Sequence, residues 1–331
     1  MGVTTQLNRQ SANSTLSRNF GTNDRMLRYK RIKSHFYTDT LLVTKKGKST
    51  HGNTCAQIYV SDKGMVACYP MAHVRDFLST LKLFAKEVGA PEVLVADPHP
   101  THRKPEVRKF CNNIGTTLNL LEAKTQWANR AELYVGFLKE GTRDDTREAN
   151  SPLVLWDYAM ERRARIYQVT AKNLYQLQGS NPYTATFGSE ADISNLCQFG
   201  WYEWVYFRDN SRPYPTMQEE LGRCLGPAKN EGNEMAQWIL TICGTVRPRR
   251  TVRRLTDGER AISNVAEKQK RDRFDTAILA RLGDSLSFPT RRKRSADDTS
   301  DDDVSITLPK DDGSTSSPTG VDDLWDFESA S

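Results

Sequence analysis

Three carboxylates stand where their residue types are out of place. Asp39 interrupts a β-branched and apolar run, His35-Phe-Tyr-Thr-Asp39-Thr-Leu-Leu-Val43, although Asp is depleted in strands. Asp97 follows the continuously apolar Val93-Leu-Val-Ala96, and ligands of open α/β sheets bind beyond the carboxyl ends of the strands. Glu132 opens a helical stretch after the polar loop Thr125-Gln-Trp-Ala-Asn-Arg130. Gathered at one sheet edge, the three would supply the hard oxygen ligands that Mg²⁺ takes. Two Mg²⁺ (or Mn²⁺) ions ~3.5–4 Å apart activate an attacking oxygen and steady a leaving one, which is the chemistry of phosphoryl transfer on nucleic acid. Without a metal the same cluster would repel itself and retain a proton. Each acid also has a plainer reading. A lone strand Asp serves a turn, an Asp after a strand caps the next helix, and a Glu in a first turn suits the helix dipole. The spacing of the set, 58 positions from Asp39 to Asp97 and 35 from there to Glu132, favours the metal site.

Around the acids lie candidate contacts to a polyanion. Lys139 is two helical turns beyond Glu132 on the same face. Gln126 and Asn129 precede Glu132, where they would either position DNA or cap the helix. Arg162, Arg163 and Arg165 form one basic cluster, and Arg247-Pro-Arg-Arg-Thr-Val-Arg-Arg254, with Arg249 and Arg250 at its centre, forms another. Both suit phosphates, with salt-dependent and sequence-tolerant affinity, and both are also what a solvated charged face looks like. Trp201, Tyr202, Trp204, Tyr206 and Phe207 would stack on bases or form a module core. His99 and His102 lack the paired cysteines of a zinc site. Arg291-Arg-Lys-Arg294 reads as a nuclear import signal, which makes the nucleus the expected location after synthesis in the cytoplasm.

The chain has 331 residues, about two domains as a prior. No apolar run approaches the ~18 residues of a membrane span, and the polar N-terminus lacks the apolar stretch of a secretory signal. The six cysteines are scattered without a CxxC pair, as free thiols would be. The net charge of +6 hides a split: residues 295–331 carry eleven acids against Lys310, leaving +16 on the remainder. A body so basic suits nucleic acid, and the acidic tail should be disordered.

The elements that must position the acids follow from periodicity. Residues 35–43, 54–61 and 65–70 read as strands at hairpin spacing, with Asp62-Lys63-Gly64 as a tight turn. Val74 to Val88 carries one apolar stripe of a helix, stopped by Gly89 and Pro91. A buried strand 93–96, a helix 105–114, a strand 116–121 and helices 131–147 and 151–177 complete a β-β-β-α-β-α-β-α-α order. This order predicts an α/β fold of the ribonuclease H-like kind, a mixed five-stranded sheet with flanking helices. Beyond residue 198, short β-like pieces predict a small β-rich, SH3-like module, and 257–285 a charged helix. The expected organisation is therefore a basic disordered arm (1–33), a catalytic core (34–180), a β-rich module (198–255), and a charged helix with the disordered acidic tail (256–331).

Several stretches resemble the Asp-Asp-Glu integrase cores of retroviruses and LTR retrotransposons. These are Ser34-His-Phe-Tyr-Thr-Asp-Thr40, Gly52-Asn-Thr-Cys-Ala-Gln57, Val60-Ser-Asp-Lys-Gly64, Val93-Leu-Val-Ala-Asp-Pro98 and Gln126-Trp-Ala-Asn-Arg-Ala-Glu132. The closer resemblance is to copia-type integrases of diatom and algal elements. Ser151-Pro-Leu-Val-Leu-Trp156, Gly222-Arg-Cys-Leu-Gly-Pro227 and Val246-Arg-Pro-Arg-Arg-Thr251 extend it over roughly residues 28–255. The resemblance implies Mg²⁺-dependent processing of DNA 3′ ends and strand transfer, with Asp39, Asp97 and Glu132 catalytic, Lys139 on DNA, and a homo-oligomer as the active form. The sequence departs from the family at Asp97-Pro-His-Pro and at Asn129-Arg-Ala, where many members carry Asp-Asn-Gly and Asn-Gly. A core that binds nucleic acid without catalysis, and a ribonuclease H-like nuclease, are the alternative expectations.

Overall fold

The computed structural model describes residues 29–44, 47–122, 129–171, 177, 179–209, 213, 215–228 and 235–283, all within one compact unit of the chain. The expected disordered arm up to residue 28, Gln126, the basic run Arg291–Arg294 and the acidic tail lie outside these residues.

The first sheet is built from β1 (Arg31–Leu42), β2 (Cys55–Ser61), β3 (Val66–Met71), β4 (Ala90–Ala96) and β5 (Thr117–Leu120). Its order is β3-β2-β1-β4-β5. The hairpin strands pair antiparallel, while β4 joins β1, and β5 joins β4, in parallel. The intervening helices are α1 (Phe77–Glu87), α2 (Pro105–Asn113), α3 (Arg130–Glu148) and α4 (Trp156–Val169). Both faces of the sheet are covered. Ile58, Val60, Val66 and Cys68 pack against Ala131, Tyr134 and Leu138 of α3 and Trp156 and Met160 of α4. On the other face Phe36, Tyr59, Ala67 and Leu94 meet Phe77, Leu81 and Phe84 of α1 and Val107 and Cys111 of α2. Every position of β2 is buried, which is why its sequence shows little polar alternation.

Two glycines are required by geometry. Gly64 closes the β2–β3 turn at φ +78°, and a Cβ there would stand 2.5 Å from the Tyr134 hydroxyl. Gly89 ends α1 at φ +131°, with a Cβ position 2.4 Å from the Lys30 carbonyl.

Several boundaries differ from the sequence expectation. β1 begins at Arg31 and β4 at Ala90, because β4 pairs with β1 through Arg31 and Ile32 across an irregularity before His35. The helix expected over 151–177 is a 3₁₀ turn, Leu153–Leu155, leading into α4, which ends where Thr170 turns extended. Two short helices, α5 (Pro182–Phe187) and α6 (Ser194–Cys197), follow.

The second sheet comprises β6 (Glu203–Arg208), β7 (Glu219–Pro227), β8 (Gln237–Leu240), β9 (Val246–Arg249) and β10 (Val252–Arg254), in the order β10-β6-β7-β8-β9, all antiparallel. The aromatic run at 201–207 is mostly β6 itself, with Val205, Tyr206 and Phe207 buried. The charged stretch expected as one helix divides into α7 (Asp257–Arg260) and α8 (Val265–Leu282). α8 buries Phe274 and Ile278 in a cluster with Tyr202, Leu225 and Leu240. Val154, Leu155 and Tyr158 of the first module belong to the same cluster.

Candidate functional site

Strand register sets the first two acids side by side. Thr38 pairs with Ala96 in the parallel β1–β4 ladder, so one step further along both strands stand Asp39 and Asp97, on strands about 4.8 Å apart. Side chains alternate along a strand. Tyr37 and Leu41 lie with the α3–α4 core and Phe36 with the α1–α2 core, so Asp39 belongs to the α3 side. Val95 pairs with Tyr37, and Asp97, two residues on, shares that side.

Glu132 arrives through the helix cap. Asn129 is the N-cap of α3, and its side-chain oxygen accepts the Ala131 N–H at 3.1 Å. Its Nδ2 donates to the Thr38 carbonyl at 3.2 Å and to Asp97 Oδ1 at 3.0 Å. One amide thus ties the start of α3, with Glu132 in its first turn, to the ends of β1 and β4. Asn129 is 2% exposed. A side chain so enclosed, with its donors and acceptor engaged, takes the capping role, one of the two expected for it.

The charges share one neighbourhood. The partly buried Asp39 carboxylate accepts the Thr40 N–H at 2.7 Å. Burial pushes its pKa above the ordinary value, that N–H opposes the rise, the charges of Asp97 and Glu132 add to it, and Lys139 opposes it. Glu132 and Lys139 are exposed on α3. Among the described residues no group of three or more His, Cys, Asp or Glu side chains stands close enough to hold a metal ion. The acids are neighbours at one edge, where the charges of Asp97 and Glu132 both act on Asp39. Their chemistry nonetheless fits a hard divalent cation: the donors are all carboxylate oxygens, and their mutual repulsion is what such a cation offsets.

The arginines divide. Arg163 forms an ion pair with Asp145, its Nε donating to Asp145 Oδ2 at 2.8 Å, which ties α4 to α3. Arg162 reaches the Phe199 carbonyl at 3.4 Å and packs along Gly226 of β7, and burial lowers its pKa. Both link elements of the fold, because their acceptors lie inside the protein. Arg249 lies 3.5 Å from Asp209 and over the Phe207 ring. Arg253 bonds Glu219 and Glu259, and Arg254 pairs with Glu203. Arg247 and Arg250 are exposed.

Some roles at the site escaped the sequence reading. His102 is not one of a zinc pair: it is 2% exposed, and its Nδ1 bonds the Asp97 carbonyl at 2.8 Å, whereas His99 is exposed and pairs with Thr101. Buried Gln57 donates to Thr38 Oγ1 at 2.6 Å and accepts from Thr40 Oγ1 at 2.7 Å, bracing β1 on either side of Asp39. The one available signal was a glutamine inside an otherwise apolar strand.

No protein-family model and no curated protein matches the sequence. Among solved structures, the chain is similar to one in the simian T-cell lymphotropic virus intasome in complex with PP2A regulatory subunit B56 gamma, at 13% identity over 69% of this chain and 82% of that one, with a TM-score of 0.40. It is also similar to the HTLV-2 integrase catalytic core domain in complex with magnesium. The dimeric form gives 15% identity over 47% of this chain and 97% of that one, with a TM-score of 0.37. The trimeric form gives 17% over 48% and 99%, with a TM-score of 0.35. At these identities and scores the likenesses do not carry the assignment of the site, which rests on the chain's own residues.

Proposed function

We propose that this chain is a metal-dependent polynucleotidyl transferase of the integrase type, acting on DNA, with Asp39, Asp97 and Glu132 as its acids. The observation that carries this reading is the convergence of adjacent strand ends and one helix start, held by the Asn129 amide. The three acids would hold two Mg²⁺ or Mn²⁺ ions, which when bound activate the attacking oxygen and steady the leaving 3′ oxygen. The chain's own part is positional. Asn129 holds Asp97 Oδ1 through its amide, and exposed Lys139 and Arg250 offer sequence-tolerant phosphate contacts that weaken with salt. The finer reading follows the quoted motifs: a copia-type retrotransposon integrase core with an SH3-like module, working in the nucleus as a homo-oligomer to process DNA 3′ ends and join them to target DNA. The test is strand transfer by the full chain with labelled DNA ends in Mg²⁺. Asp97→Asn and Glu132→Gln should each abolish product, and full activity in both variants would sink the assignment.

A second reading is a core that binds DNA without catalysis. The departures from the family pattern at Asp97-Pro-His-Pro and Asn129-Arg-Ala favour it. Its mark would be salt-dependent DNA affinity with no metal-dependent product from the unaltered chain.

A further inference from the structure

The turn after β4 holds Asp97 from behind. The Asp97 carbonyl accepts two bonds, from the His99 N–H at 2.7 Å and from His102 Nδ1 at 2.8 Å. A carbonyl can only accept, so Nδ1 carries the ring proton and Nε2 holds a lone pair. That Nε2 is buried without a partner. The ring packs against Phe77 at 4.3 Å between centroids and is 2% exposed. Packing alone would favour an apolar ring, because an unpaired buried nitrogen is a cost that a phenyl group avoids. Such an exception in a folded protein calls for a reason, and here the reason on offer is the bond at the other end of the ring.

We propose that His102 is a positioning residue for Asp97. Its Nδ1–H fixes the peptide at the end of β4 while Asn129 fixes the carboxylate, so Asp97 is held at both ends. This inference rests on the reading of Asp97 as a metal ligand. Outer partners of metal ligands typically contribute ~10–100-fold to metal affinity, and a partner acting on the ligand's backbone belongs at the lower end.

The test uses the full chain and Mn²⁺ as probe, with affinity measured by calorimetric titration and stability by urea unfolding. His102→Phe should unfold at the same urea concentration or higher, yet bind Mn²⁺ about tenfold more weakly. His102→Asn, whose amide N–H stands in for Nδ1–H, should recover most of that affinity. Nitrogen-15 NMR of the unaltered protein without metal should show the Nδ1–H tautomer, a readout that needs no metal. An Nε2–H tautomer, or unchanged Mn²⁺ affinity in a folded His102→Phe, would overturn the proposal. Should His102→Phe fail to fold, His102→Asn with His102→Gln decides it: equal affinities in the two overturn the proposal, because only the asparagine places a donor at the Nδ1 position. If the unaltered chain and Asp97→Asn both bind no Mn²⁺, the metal-site reading itself falls and takes this inference with it. That result is distinct from a normal wild-type affinity that His102 does not influence.

Discussion

Replacing Asn129 probes the knot that gathers the acids. Asn129→Ala removes three bonds at once: the cap to Ala131 N–H, the donation to the Thr38 carbonyl and the donation to Asp97. A lost N-cap costs ~1 kcal/mol. A neutral hydrogen bond contributes ~1 kcal/mol and one to a charged group ~1.5–3 kcal/mol. One small side chain makes all three, so the losses overlap, and the expected cost is about 3–4 kcal/mol. Asn129→Asp separates the parts. Aspartate caps as well as asparagine, but it cannot donate, and it sets a second carboxylate against Asp97. It should cost at least as much as alanine at pH 7. Its deficit should shrink as pH falls through the carboxylate range, since protonation removes the repulsion. Asn129→Ser keeps only the cap and should recover about 1 kcal/mol relative to alanine. Equilibrium urea unfolding of the four proteins at pH 7 and pH 4.5 is the assay. An alanine variant within about 0.5 kcal/mol of the unaltered protein, the range of ordinary surface substitutions, would refute the argument. So would an aspartate variant more stable than the alanine one at pH 7.

Three further expectations concern the body of the fold. Cys197 and Cys243 are exposed whereas Cys55, Cys68, Cys111 and Cys224 are buried, so a thiol reagent at pH 8 should titrate two of these six quickly and the other four only after denaturation. Burial pushes Cys111 up to about 11 and Cys224 up to about 12 from an ordinary 9.0. The folded chain therefore keeps protons that the unfolded chain releases, and stability should fall as pH rises from 9 toward 11. Phe274→Ala in α8 empties a position that is 1% exposed, and an expected loss of ~3–5 kcal/mol should appear in thermal unfolding, whereas Leu279→Ala, at an exposed position of the same helix, should change little.

The first sheet was legible because its strands and helices obey two different periods. Burial at the end of β4 follows directly from the continuous apolar run Val93-Leu-Val-Ala96. The start of β4 was hidden because Pro91 reads as a break, although a proline near the start of a strand is tolerated. The acids were legible as misplaced residue types, but their adjacency depends on the Thr38–Ala96 register, which no local pattern encodes. The partners of the arginines were hidden for a similar reason. Arg163 meets Asp145, Arg249 meets Asp209 and Arg253 meets Glu219, partners that are distant in sequence, and a run of cations looks the same whether its counterions are inside the protein or on a phosphate backbone. In α8 only Phe274 and Ile278 carry the burial, too few apolar positions among charges to announce a packed helix.

The cluster shared by Leu155, Tyr158, Leu225, Leu240, Phe274 and Ile278 makes the two sheets thermodynamic partners. Melting either one strips the apolar cover from the other, so heat should carry both through a single cooperative transition. A fragment cut near residue 180 would present Val154, Leu155 and Tyr158 to water as an adhesive face. The tie runs through the 3₁₀ turn and α4, and α4 packs on the same side of the first sheet as α3, the helix that carries Glu132. A force applied at the second sheet therefore has a packed route toward the edge where the acids meet.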